Sequence, residues 1–167
     1  VARAEEHLSV ASRSLIQIRD VGRGNAELET QVKNIIDTVQ EFRTSFLKVV
    51  ELKEIKGHRD QGLIGEMRSH IHEAEALIAD YPELQVLMLT ARRHEKDYLL
   101  RGDRKYIRSN QEVAVQFQNG ITLSQLSNAV KEQAINASQG YIDKFNEMIA
   151  TDRQIADNSR IYRSAVN

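Results

Sequence analysis

Apolar residues recur every three or four positions along nearly the whole chain, the period of helices with one buried face. Residues 1–20 set Ala4, Leu8, Ala11, Leu15 and Ile18 on one side, and Asp20-Val21-Gly22-Arg23-Gly24-Asn25 breaks the pattern. Residues 26–56 carry a near-heptad seam of Leu28, Val32, Ile35, Val39, Phe42, Phe46 and Val49. Residues 57–62 form a turn-rich connection between two glycines. Residues 63–79 repeat the pattern with Ile64, Met67, Ile71, Ala74 and Ile78. Pro82 opens the next helix, as its fixed φ favours, and that helix reaches Arg101 before Gly102-Asp103. A short piece over 104–118 turns Ile107, Ala114 and Phe117 inward, and Asn119-Gly120 predicts a turn.

Thr122 or Ser124 then caps a last helix that meets no proline before the C-terminus. Its seam runs Leu126, Val130, Ala134, Ala137, Tyr141, Phe145, Met148, Asp152, Ile155, Ser159, Tyr162 and Val166. Such a helix would be roughly 65–70 Å long, against roughly 30 Å for its shorter neighbours. The expected fold is all-α: an up-and-down antiparallel bundle of long helices in one domain, 1–167. Either two four-helix modules stack along the long C-terminal helix, or its far end is bare.

The helix over 82–101 departs from the oily pattern. Steps of three and four give Leu84, Leu87, Ala91, His94, Tyr98 and Arg101, apolar in the first half and polar in the second. Burying such groups costs free energy unless they are partnered, so a polar stretch of seam marks a candidate site. Arg92 and Arg93 diverge by about 100°, so one can face the bundle while the other is solvated or ion-paired. Arg93 is spaced to support the helix with Asp97, and Arg101 returns near the face of Arg93. Guanidinium groups bind carboxylates through two parallel hydrogen bonds. Arg92, Arg93 and Arg101, with hydroxyls or ring walls from Tyr98 and Tyr141, are the set expected to hold a small organic anion. The same residues in a self-paired, solvated cluster would bind nothing.

Composition narrows the classes. One proline, no tryptophan and few aromatic residues argue against a sheet protein. A net charge of −1 gives no global field for nucleic acid or anionic lipid, so no nucleic-acid partner is expected. The lack of cysteine removes disulfides, thiolate metal sites and cysteine catalysis. No window approaches the ~20 apolar residues of a membrane span. The chain starts at Val1 and ends at Ala165-Val166-Asn167 without a closing signal, and is expected to be a piece of a longer protein. No phosphate loop, serine elbow or H-E-x-x-H motif is present. His70 and His72 diverge on their helix, and His7 and His58 read as surface residues. No nucleophile has a base beside it, so the reading is not an enzyme and takes no metal or cofactor.

The run Arg92-Arg93-His94-Glu95-Lys96-Asp97-Tyr98-Leu99-Leu100-Arg101-Gly102-Asp103, followed by Lys105-Tyr106, resembles the R-R-H-E-K-D-F-L-L-R signature of bacterial chemoreceptor sensor regions of the helical bimodular type. The segments 46–54 and 62–68, and Tyr141 with Phe145, are similar to the same family. The likeness covers roughly residues 28–150, with Tyr98 in place of the commoner Phe, in a chain shorter than the family's usual domain. The resemblance implies a periplasmic domain, carried between transmembrane helices of an inner-membrane methyl-accepting chemotaxis protein. It implies two stacked four-helix layers and small carboxylates as ligands. It also implies a homodimer and a helix displacement passed to a cytoplasmic signalling domain. A periplasmic binding protein is a further partner under this reading. The alternative is a structural or protein-interaction bundle, or a histidine-kinase sensor region, with no small-molecule ligand.

Overall fold

The computed structural model describes residues 2–165. Among them are six helices and no strand: α1 (Ala2–Val21), α2 (Ala26–Lys56), α3 (Gly62–Leu77), α4 (Pro82–Arg101), α5 (Arg104–Leu123) and α6 (Asn128–Ser164). Val1 and the last expected seam position, Val166, lie outside the described residues. None of the described helices is long and apolar enough to cross a membrane.

The chain divides into two compact units. Residues 56–150 form a four-helix antiparallel bundle from α3, α4, α5 and residues 128–150 of α6. Its directions follow from cross-helix partners, which descend on one helix as they ascend on the next. Asn110 meets Ala91, and Gly120 meets Leu84, between α5 and α4. Gln111 meets Asn146, and Gln118 meets Gln139, between α5 and α6. Glu66 meets Lys144, and His70 meets Gly140, between α3 and α6. Helices α4 and α6 are thus the parallel diagonal, joined through the core by Tyr98 and Phe145. Met67, Ile71, Ile78, Met88, Ile121, Phe145 and Met148 fill that core and are almost wholly removed from water.

The other unit comprises α1, α2 to Ile55 and residues 151–164 of α6. Tyr162 packs edge-on against Phe42 and Phe46, whose rings stack 5.9 Å apart. Val32, Val49 and Leu52 are its buried apolar residues.

Local chemistry explains the helix ends. Gly102, at φ 67°, closes α4 in the left-handed conformation, its N–H reaching the Tyr98 carbonyl. Asp103 immediately starts α5, its side chain accepting from the Lys105 N–H at 2.9 Å. Two residues therefore suffice to reverse the chain.

Three expectations require correction. Helix α5 passes straight through Asn119-Gly120 and ends at Leu123. Gly120 lies under Leu84, whose Cδ2 would stand 2.7 Å from an added Cβ, so this glycine serves close packing instead of a turn. The reversal falls at residues 124–127. There Ser124 bonds back to Ile121, while the Ser127 hydroxyl accepts from Val130 N–H at 3.4 Å at the start of α6. Helix α6 is accordingly shorter than expected, about 55 Å at 1.5 Å per residue for its 37 residues. In the N-terminal unit, Ile18 and Ile35 lie in water instead of on the seam.

Candidate functional site

Helix α4 buries Leu84, Met88, Ala91, Glu95 and Tyr98. The residues between them in the sequence fall to the sides or outside. Glu95, not His94, occupies the seam position, and it is only 5% exposed. Opposite it, α5 buries Asn110 on the stripe that continues through Ala114, Phe117 and Ile121. Helix α6 supplies Tyr141, at 1% exposure.

These three side chains form one hydrogen-bonded chain across three helices. The Asn110 amide donates to the Ala91 carbonyl and to the Tyr141 hydroxyl, each at 2.7 Å. Since the hydroxyl accepts from Asn110, its own proton is free for the Glu95 carboxylate, with which it is hydrogen-bonded. Asn110 Oδ1 is buried and has no hydrogen-bond partner, and neither has His94 Nδ1. The Phe145 ring stacks on Tyr141 at 6.3 Å and receives Tyr98 edge-on at 5.8 Å, which walls the cluster with aromatic surface.

Burial is the main influence on Glu95 and holds its carboxyl above the usual carboxylate range. The Tyr141 hydroxyl and the charges of Arg92, Lys96 and Arg68 oppose that rise. Burial, then the facing Glu95 charge, drive the Tyr141 hydroxyl upward as well. The folded chain keeps the Glu95 proton to a higher pH than the unfolded chain. This stabilisation is complete below the ordinary carboxylate range and is lost as pH rises through the folded pKa. Glu95→Gln should keep the hydrogen bond and remove the charge. Its expected effect at neutral pH is a gain of roughly 1 kcal/mol, or about 3 °C in melting temperature. Thermal melts across the acid-to-neutral range should also become flatter; a slope equal to the parent's would show that Glu95 does not set it.

The expected site residues divide into two groups. Arg92 and Tyr141 act directly on Glu95, and Tyr98 joins Tyr141 through the Phe145 ring that both contact. The Arg92 side chain is 17% exposed at the α3 edge of the cluster, with Glu75 at 3.6 Å. Glu75 is shared with His72, at 2.9 Å. Arg93 and Arg101 are exposed and are not brought to that cluster. Arg101, rather than Arg93, pairs with Asp97, at 3.6 Å, and also donates to the Tyr106 hydroxyl. The Tyr106 ring lies beneath two cations, Arg101 at 5.5 Å and Lys105 at 4.9 Å from its centre.

Glu95 and Asn110 escaped the sequence reading. Both lie on the three-four step of their helices, Met88-Ala91-Glu95-Tyr98 and Ile107-Asn110-Ala114-Phe117, a spacing that admits them without singling them out. Comparison with protein-family models, with curated proteins and with solved structures finds no match to this chain.

Proposed function

We propose that this chain is the ligand-binding sensor domain of a transmembrane chemoreceptor, recognising a small organic acid and passing on a displacement of helices. The observation that carries the reading is the position of Arg92. It lies at the edge of a buried polar chain that links α4, α5 and α6, and its nearest acid is a shared carboxylate at 3.6 Å. A ligand carboxylate meeting the guanidinium in bidentate fashion would make a shorter, stronger contact than Glu75 does. The resemblance of residues 92–103 to chemoreceptor sensor regions supports the same reading.

The added negative charge would then stand beside Glu95 and favour its protonated form. A neutral Glu95 ceases to be a charged acceptor for Tyr141, which changes the balance between α4 and α6. A differential affinity of a few kcal/mol is enough to shift a two-state helix packing.

Titration calorimetry against mono-, di- and tricarboxylates tests the proposal. Binding heat is expected for at least one acid, and Arg92→Ala should weaken it by about tenfold to a hundredfold. An absence of heat and of thermal shift across the panel would refute a carboxylate sensor.

The second reading, a structural or interaction bundle, draws on the cluster itself. A hydrogen-bonded polar chain in an apolar core also fixes register. Arg92→Ala separates the two: a lost ligand response at unchanged melting temperature favours the sensor, and lost folding or assembly favours the structural role.

A further inference from the structure

One oxygen of Glu75 stands between an imidazole and a guanidinium. His72 Nδ1, one turn back on α3, lies 2.9 Å from Glu75 Oε2, and Arg92 Nη1, across on α4, lies 3.6 Å from the same atom. The carboxylate is thus within full hydrogen-bond reach of His72 and held loosely by Arg92. The side chains of His72 and Glu75 are largely open to solvent, whereas that of Arg92 is mostly covered.

Arginine keeps its charge at every physiological pH, while histidine changes charge between about pH 5 and pH 8. A neutral imidazole offers Glu75 one ordinary N–H, and only when the ring proton sits on Nδ1. In the other tautomer a lone pair faces the carboxylate. Arg92 is then the stronger attraction for Glu75. Once a proton from solvent joins the ring, Nδ1–H becomes a charge-assisted donor on the same helix, three residues away.

The surrounding charges are otherwise engaged or turned elsewhere. On α3, Arg68 precedes His72 by one turn and is held by Asp60 at 2.9 Å, and His70 packs on Gly140 of α6. On α6, Lys144 lies between Glu66 at 3.0 Å and Glu147 at 3.2 Å. On α4, His94 turns to Tyr106 of α5, and α5 gives the cluster only the uncharged Asn110. Lys96 and Glu95 remain beside Arg92 on α4, and Glu95 also takes up its proton above the usual carboxylate range. Protons therefore act on Arg92 from two sides.

We infer, on the reading of Arg92 as the carboxylate anchor, that Glu75 is a built-in competitor for its guanidinium and that protonation of His72 draws Glu75 away and opens the site. His72 and Glu75 are positioning residues here; neither touches the ligand.

Succinate binding, measured by calorimetry at pH 6 and pH 8, reads the latch. The ionisation of the free acid is common to all variants, so it cancels between them. His72→Gln should reduce the gain in affinity from pH 8 to pH 6 by about threefold, leaving the part due to Glu95. Glu75→Gln should tighten binding at pH 8 by about threefold, and His72→Gln should add nothing in that background. An unchanged gain in His72→Gln, or weaker binding by Glu75→Gln, overturns the inference. A second readout needs no ligand. In a Glu95→Gln background, the Arg92 Nε–H resonance should shift between pH 8 and pH 6, and the shift should vanish on adding His72→Gln or Glu75→Gln. A shift that persists in both, or is absent from the start, overturns the inference even if acids bind. If no acid in the panel binds, the carboxylate reading fails on its own, and the arginine resonance still decides whether His72 controls the Glu75 contact.

Discussion

Replacing Tyr141 by phenylalanine should cost about 3 kcal/mol at neutral pH, far beyond the loss of one oxygen from a surface. The ring would stay in place, stacked on Phe145, so packing is preserved. What disappears is the donor to a buried carboxylate and the acceptor for one Asn110 N–H. Asn110 would keep only the Ala91 carbonyl, with its own oxygen already unpartnered. Glu95 would retain the distant help of Arg92, Lys96 and Arg68 but lose its hydrogen bond. The cost should shrink in mild acid, where Glu95 is neutral and less demanding. It should shrink likewise in a Glu95→Gln background. Urea unfolding of the four variants of this double-mutant cycle, at two pH values, measures the coupling. A loss below about 0.5 kcal/mol, unaffected by pH, would mean that the cluster contributes little energy.

Gly57→Ala is the second large effect expected, also about 3 kcal/mol. Gly57 adopts φ 72° immediately after α2. An added Cβ would lie 1.9 Å from the Gln61 carbonyl oxygen and 2.5 Å from its carbon. Those are backbone atoms in a turn held by Gln61 N–H to His58 oxygen and Gly65 N–H to Gln61 oxygen, so they cannot step aside cheaply. Gly102→Ala is the matched control. Its φ is nearly the same, 67°, but nothing lies within 4 Å of the added carbon. Only the left-handed backbone penalty remains there, about 1 kcal/mol. Urea midpoints for the two variants should therefore differ clearly, and equal losses would show that the contact at Gln61 is relieved without cost.

The helices themselves were largely legible. The bounds of α2 and α4 follow from breakers and caps that act locally: Gly22 to Asn25 before α2, Gly57 after it, Pro82 and Gly102 around α4. The end of α5 did not follow, because Asn119-Gly120 favours a turn only when nothing else occupies the glycine. Here Leu84 does, and that contact is between residues distant in sequence. The site was legible in part for a related reason. A period of 3.6 allows two neighbouring stripes on α4, one through Leu87 and His94 and one through Met88 and Glu95. The general preference of carboxylates for water favours the first. Tyr141 and Asn110, from two other helices, make the second tolerable, and their convergence is tertiary information. Tyr141 was found because an aromatic residue on the α6 seam agrees with its apolar neighbours. Arg93 and Arg101 were grouped with Arg92 by chemistry, although their angular positions on α4 separate them.

A chain with five tyrosines and no tryptophan leaves its near-ultraviolet spectrum to phenols. Tyr141 is sealed from solvent and faces an acid, so in the folded protein its hydroxyl resists ionisation well beyond the ordinary phenolic range. Unfolding releases that resistance, and strong alkali therefore favours the open chain. In an alkaline spectrophotometric titration, the last tyrosinate absorbance should emerge only with collapse of the helical signal, so one buried phenol serves as an intrinsic optical gauge of bundle integrity.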